Sequence, residues 1–358
     1  MRIIHCADLH LDSKIEGLPT EKSRIRREEI LHSFERMCDY AAEHNVAAII
    51  IAGDMFDTAK VTARTKGRVV KAIQDNRDID FIYLSGNHDE DNFISGLESC
   101  PQNLKVFGDE WCTYNYGNVN VSGVRFNGKN SQTVYDTLKL DEQAFNVVVM
   151  HGQVVGYKSA DAAETVSIPA LKGKGIDYLA LGHYHTFSEG DIDERGKYVY
   201  SGCLDGRGFD ETGNKGFVLI DVDGKDAEYQ FVCFSSRKLY EYVYDLSLDK
   251  DFAQTRNNIV RDLDNKYGKN SLIKVVLKGD RATDFDVDKN GLSLRLNEEY
   301  FFVKVNDKTQ LKINIDDYVD DKSILGEFIR SVWQSPLSEQ EKSDVIMCGI
   351  NALKGEEI

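Results

Sequence analysis

At 358 residues, with 41% hydrophobic and 29% charged side chains, the chain has the composition of a globular protein that buries a sizeable core, which excludes disorder as its default state. The length favours one large domain with a smaller one attached. A net charge of -16, from 44 basic and 60 acidic residues, argues against plain electrostatic adhesion to a polyanion, because such affinity comes from Lys and Arg neutralising phosphates.

The amino terminus runs straight into the apolar segment Arg2 to Ala7, without the basic stretch, apolar core and small-residue cleavage site of a signal peptide. No apolar run nears the roughly 18 residues that span a bilayer, so a cytoplasmic protein with no membrane association is expected. Seven scattered cysteines, odd in number and without CxxC pairing, agree with reduced and mostly buried thiols.

Arg2 to Ala7, Ala47 to Ala52 and Phe81 to Leu84 read as strands separated by longer amphipathic stretches. Between the first two, Ile30, Phe34, Met37 and Ala41 recur at helical spacing and would present one apolar stripe to a sheet. A second helix over 61–77 carries most of the basic run Lys60, Arg64, Lys66, Arg68, Lys71 and Arg77, and Lys22, Arg24, Arg26 and Arg27 form another. Each run is either a local basic face on an acidic body or an ordinary solvated helix surface.

Beyond residue 100, β-rich runs follow at Tyr114 to Val124, Val147 to Met150, Tyr178 to Leu181, Tyr198 to Tyr200 and Phe217 to Val222. Strands alternating with helices, then strands in series, predict an α/β fold of two sheets packed as a sandwich with helices outside. A strand pair at Tyr229 to Phe234 and Leu239 to Tyr244 finishes this unit, which is assigned to residues 1–236. A helix over 250–266 and strands at Leu272 to Leu277, Tyr300 to Val305 and Leu311 to Ile315 then make a small α+β domain over 237–320. Residues 321–358 keep helical spacing across a break at Pro336, giving two terminal helices whose apolar stripe is read as packing on the body.

Five short motifs stand at the ends of predicted strands: Asp8-Leu9-His10, Gly53-Asp54, Gly86-Asn87-His88-Asp89, His151-Gly152 and Gly182-His183-Tyr184-His185. Five of the eight histidines fall in them, while His5, His32 and His44 read as structural or surface residues. Alone, a DxH or GD is a common turn or cap; five in order at strand ends are a constellation. Ligand-type residues two apart in an extended chain point to the same side, and strand ends of open α/β sheets converge on one crevice. The adjacent glycines allow sharp turns and close backbone approach.

Seven positions, Asp8, His10, Asp54, Asn87, His151, His183 and His185, are too many for one tetrahedral ion and suit two divalent ions of higher coordination. Asp54 is the natural bridge, since one carboxylate can touch two cations. Mixed imidazole, carboxylate and amide donors point to manganese, with iron or zinc as the other candidates, and a residual positive charge there favours an anionic phosphate ester. His88, beside Asn87, would protonate or stabilise the leaving oxygen, with Asp57 orienting its imidazole and Asp89 competing for that task.

The ordered set DLH, GD, GNHD, HG and GHYH resembles the calcineurin-like metallophosphoesterase superfamily. Within it, IIHCADLHLDS, IAGDMFDTAK, LSGNHDE, LALGHYH and YSGCLDGRGFDETGNKG are similar to the SbcD-type DNA exonuclease subunit and its YhaO-like relatives, over residues 1–235. That resemblance implies a four-layer α/β/β/α metallophosphoesterase sandwich with a small C-terminal α+β capping domain and terminal helices. It also implies Asp8, His10, Asp54 and His185 at one metal, Asp54, Asn87, His151 and His183 at the other, and His88 as the catalytic histidine. The implied activity is a DNA exonuclease working in repair, as a homodimer, with an SbcC-like ATPase. A phosphoesterase for small or protein phosphoesters is the second reading, and a DNA-binding scaffold with degenerate chemistry the third.

Overall fold

The computed structural model describes the chain except residues 58–60, 87–92, 94–96, 98–99, 128–129, 132, 155–164, 283–284, 313–314 and 355–358, and the side chains of 340, 351 and 354. Its contacts divide the chain into two units, Met1–Leu239 and Tyr240–Ile358.

In chain order the first unit begins with β1 (Arg2–Cys6), β2 (Val46–Ala52), β3 (Asp80–Leu84) and β4 (Leu104–Val106). Then come β5 (Cys112–Tyr116), β6 (Val119–Gly123), β7 (Phe145–His151), the short β8 (Gln153–Val154) and β9 (Thr165–Val166), β10 (Tyr178–Gly182), β11 (Ser188–Asp191) and β12 (Lys197–Tyr200). The last two are β13 (Gly216–Asp223) and β14 (Asp226–Cys233). One sheet has the order β14-β13-β1-β2-β3-β4 and the other β11-β12-β10-β7-β6-β5. β1 to β4 run parallel in the first, as do β12, β10, β7 and β6 in the second.

Alternation along the strands builds the layers. Ile3 and Ala7, Ala48, Ile50 and Ala52, and Ile82 and Leu84 face a core shared with Val121, Val147, Val149 and Ala180 of the other sheet. Ile4 and Cys6, Ile49 and Ile51, and Phe81 and Tyr83 face the opposite way, where Ile30, Phe34, Met37 and Ala41 of helix α1 (Thr20–Glu43) and Val69 and Ile73 of helix α2 (Ala63–Asp75) cover them. The outer face of the second sheet, with Val148, Met150, Leu179 and Leu181, packs on Val134, Ile168 and Leu171 from the short helices Val134–Thr137 and Ile168–Leu171. The predicted sandwich of two sheets between helical layers is therefore present, with the second helical layer reduced to single turns.

Some local expectations need correction. The run Tyr114 to Val124 is a hairpin of β5 and β6 turning at Gly117, whose φ of 67° suits glycine. β4 and β11 are short, partly polar edge strands that periodicity does not single out. The strand after β14 does not finish the first unit's sheet, because β15 (Leu239–Asp245) lines up in a three-stranded sheet with β16 (Leu272–Lys278) and β18 (Phe302–Asp307).

In the second unit β16 and β18 are parallel, so the chain must cross over between them, and the helix Lys289–Asn297 does so. Sequence periodicity missed this helix, since it buries only Leu292 and Leu296 and carries Gly291 in its first turn, with Asp288 capping its start. Helix Phe252–Lys266 contributes Ile259 and Leu263 to the same core. Between the two sheet strands and beyond them lie β17 (Asp280–Arg281) and β19 (Gln310–Leu311), a parallel pair only two residues long. The strand expected over Leu311 to Ile315 therefore ends at once, and Ile315–Tyr318 forms a 3-10 turn. Helices Ile324–Trp333 and Glu339–Lys354 pack Ile329, Val332, Ile346 and Ile350 into a small core with Leu311. No helix among the described residues is long and apolar enough to cross a membrane.

Four members of the predicted basic runs are engaged by acids within the molecule. Arg64 pairs with Glu28 at 3.1 Å, Arg68 with Glu28 at 2.8 Å and with Glu35, and Lys71 with Asp75 at 2.7 Å. Arg26 is buried against Asp205, a carboxylate that also accepts from Ser33 and Ser236. The Arg64 and Arg68 pairs fasten α2 to α1, and the Arg26 pair fastens α1 to the loop around Asp205.

Candidate metal centre

β1, β2, β3, β7 and β10 release their chains at carboxyl ends that lie side by side, and the five motif segments follow at those ends. Hydrogen bonds between the segments fix their spacing: Asp8 N to Gly53 O at 3.1 Å, His10 N to Asp54 O at 3.0 Å, and Gly152 N to Gly182 O at 3.3 Å. His183 N–H donates to both Asp8 oxygens, at 2.9 and 3.1 Å, joining the two sheets at the site.

Asp8, His10 and His185 each offer one donor atom within 4.8 Å of the others, and so do Asp8, Asp54 and His151. The His183 ring lies edge-on to His151, centroids 5.5 Å apart. Asn87, His88 and Asp89 lie outside the described residues. Of the seven positions read as ligands, six are thus described, and the five in the two donor groups lie together with His183 beside them.

The backbone is bent to achieve this. Asp8, His10, Asp54 and His183 have φ of 51°, 44°, 52° and 100°, the left-handed region that glycine prefers. Two neighbouring glycines are there for space. A Cβ on Gly86 would sit 2.2 Å from Asp54 Oδ1, and one on Gly182 would sit 2.0 Å from the Ala52 carbonyl oxygen.

Proton placement decides what the imidazoles offer. His151 Nδ1 donates to the Ala52 carbonyl at 2.9 Å, and His185 Nδ1 to Glu211 Oε1 at 2.8 Å. Asp57 Oδ1 lies 3.0 Å from His10 Nδ1, off the line of a hydrogen bond, and its negative charge favours a proton on that nitrogen. All three rings then carry a lone pair on Nε2. Yet the Nε2 atoms of His10 and His185 face each other at 3.1 Å, and those of His10 and His151 lie 3.8 and 3.5 Å from Asp54 Oδ2. Lone pairs and a carboxylate crowded together repel, and a cation between them reverses the sign. The donor set therefore fits divalent ions.

Burial adds to this. Asp8 is 1% and Asp54 2% exposed. Burial pushes the Asp8 carboxyl above its usual range, against the pull of His151 and His185. Burial would also raise Glu211, but hydrogen bonds from His185 and Arg207 and the charge of Arg207 outweigh it and hold that carboxyl well below its usual range.

Asp57 lies beside His10 and Arg207, while its expected pairing with His88 falls outside the described residues. Arg207 and Glu211 were missed as functional residues altogether. The only available signal was their place in the run YSGCLDGRGFDETGNKG, since neither stands at the end of a strand leading into the crevice.

An α/β sandwich whose strand tips gather carboxylates and imidazoles in this way defines a metallophosphoesterase. Residues 1–187 match the calcineurin-like phosphoesterase family, and the chain belongs to that family. It is 28% identical over 246 residues to the uncharacterized metallophosphoesterase YhaO of Bacillus subtilis, covering 64% of this chain and 60% of that protein. It is 27% identical over 320 residues to the DNA double-strand break repair protein Mre11 of Methanopyrus kandleri, covering 81% of this chain and 67% of the relative. For Mre11 of Sulfolobus acidocaldarius the figures are 23% over 337 residues, 87% and 84%. The chain thus spans less than two thirds of YhaO.

Proposed function

We propose that the protein is a two-metal-dependent DNA exonuclease acting in DNA repair. Its hydrolase character rests on one observation above all, the imidazole Nε2 atoms and carboxylate oxygens turned toward each other at the strand tips. Asp8, His10 and His185, with Asp54, would hold one cation; Asp54, His151 and His183, with Asn87, would hold the other. When bound, such ions, manganese by preference, supply an activated water and offset the charge of the phosphate. His88 would donate the proton to the leaving oxygen.

DNA is favoured as substrate by the extent of the likeness to the Mre11 proteins. Alignments covering 81% and 87% of the chain cannot be contained in Met1–Leu239, which is 239 of 358 residues, so the similarity reaches into the second unit. That unit would serve as a cap shaping the DNA path. An SbcC-like ATPase as partner, a homodimer and a cytoplasmic location complete the proposal. A phosphoesterase for small or protein phosphoesters is the second reading, favoured by the net charge of -16 and the internally paired arginines of α1 and α2.

The test is turnover of linear DNA, a nitrophenyl phosphodiester and phosphopeptides side by side by the manganese-loaded protein. DNA and diester cleavage is expected, and phosphopeptide hydrolysis without DNA cleavage overturns the nuclease reading. His88→Ala should lower turnover about 10²–10⁴-fold while both ions stay bound; full activity of that variant in its cellular role would instead point to a scaffold.

A further inference from the structure

The chain that leaves β12 passes behind the metal centre and touches it from the outside. Glu211 Oε1 accepts from His185 Nδ1 at 2.8 Å and from Arg207 Nη2 and Nε at 2.8 and 3.0 Å. Glu211 Oε2 accepts from the Arg207 backbone N–H at 2.6 Å. The other arm of the same guanidinium reaches Asp57 Oδ1 at 3.1 Å, and that oxygen is the one 3.0 Å from His10 Nδ1. Lys215, also buried, donates to the His185 carbonyl at 2.6 Å. His10 and His185 are thus tied to one another twice: through the space where their Nε2 atoms meet, and through the chain Asp57, Arg207, Glu211 behind them.

The second donor group is built differently. His151 rests its Nδ1 proton on the neutral carbonyl of Ala52. An anionic acceptor behind an imidazole makes the far nitrogen a better donor than a neutral one does, and it fixes the ring plane more firmly.

We infer that Glu211, Arg207 and Asp57 are positioning residues that set the affinity of the ion site at Asp8, His10 and His185, leaving the site at Asp54 and His151 to be set by other groups. Arg207 holds the two carboxylates in register, so that both rings turn their Nε2 atoms on the same point. The two sites are then unequal by construction. The ion beside His10 and His185 binds more tightly, and the other exchanges more readily. This inference rests on the proposed two-metal centre and adds an order of affinity to it.

The experiment is manganese titration of metal-free full-length protein by calorimetry, with bound metal counted by elemental analysis and the spin-coupled manganese pair followed by electron paramagnetic resonance. Wild type should take two ions in two resolved steps. Glu211→Ala and Arg207→Ala should weaken the tighter step about 10–100-fold and leave the other within about threefold, replacing the coupled signal by that of isolated manganese; weakening of the looser step alone overturns the inference. Glu211→Gln, close in shape and still an acceptor for His185 Nδ1, should fold as wild type does and fall between the two. Equal weakening of both steps in Glu211→Gln, or two unchanged steps in Glu211→Ala, overturns the positioning inference and spares the metal centre. Failure of wild type to bind two ions overturns both.

Discussion

Gly182→Ala is the sharpest probe of how the centre is built. Gly182 has no left-handed backbone to defend, so the substitution acts through volume alone. The new methyl would lie 2.0 Å from the Ala52 carbonyl oxygen and 2.8 Å from His151 Nδ1, the two atoms that share a 2.9 Å hydrogen bond. Ordinary contact begins near 3.4 Å, so the carbonyl side must yield by about 1.4 Å, more than that bond can absorb. Overpacking and the lost bond together should destabilise the metal-free protein by roughly 2–4 kcal/mol. With its Nδ1 acceptor displaced, the His151 ring can turn, and one manganese step should weaken about 10–100-fold. Urea unfolding of the metal-free protein and calorimetric titration measure the two effects separately. Unchanged unfolding together with wild-type manganese binding would refute the assignment of the Ala52 carbonyl as the group that orients His151.

Three further outcomes follow from the packing. Arg26→Ala leaves the Asp205 carboxylate buried without its cation and should cost about 3–5 kcal/mol in urea unfolding, whereas Arg24→Ala on the exposed side of the same helix should cost little. His5 lies between the sheets, its Nδ1 2.9 Å from the Tyr178 hydroxyl, and burial lowers its pKa to about 3. The unfolded chain therefore binds a proton that the folded one refuses, so this contribution to stability is intact above about pH 6.5 and is lost at roughly 1.4 kcal/mol per pH unit between there and about pH 3, a component that His5→Gln should remove from pH-dependent urea curves. Because Arg64 and Arg68 are engaged by Glu28 and Glu35, Arg64→Ala should leave the salt dependence of DNA binding unaltered, as read by fluorescence anisotropy; a slope reduced by about one would show that α2 lies on the phosphate backbone.

Much of this was legible in the sequence because two different signals coincided. The near-continuous apolar runs of β1, β2 and β3 mark strands with both faces buried, and the ligand-type residues sit where each strand ends. What stayed hidden was set by tertiary geometry. Nothing local distinguishes Glu211 from a surface acid, and its role appears only when the segment after β12 folds behind His185. The basic residues of α2 read as a face in one dimension, but α1 brings Glu28 and Glu35 alongside, so opposite charges far apart in the chain cancel. The helix Lys289–Asn297 escaped because its amphipathic signal is two leucines, while the parallel pairing that demands a crossover is itself a long-range fact.

The left-handed backbone at Asp8, His10, Asp54 and His183 carries a consequence for how the protein can vary. Glycine would relieve the torsion at each place, at about 1–2 kcal/mol apiece, but glycine has no side chain with which to grasp an ion. Torsional comfort and chemical usefulness exclude one another at these four residues. The polypeptide must keep its contorted form under tension from the flanking sheets, and selection for stability alone would steadily erode the very turns that the chemistry requires.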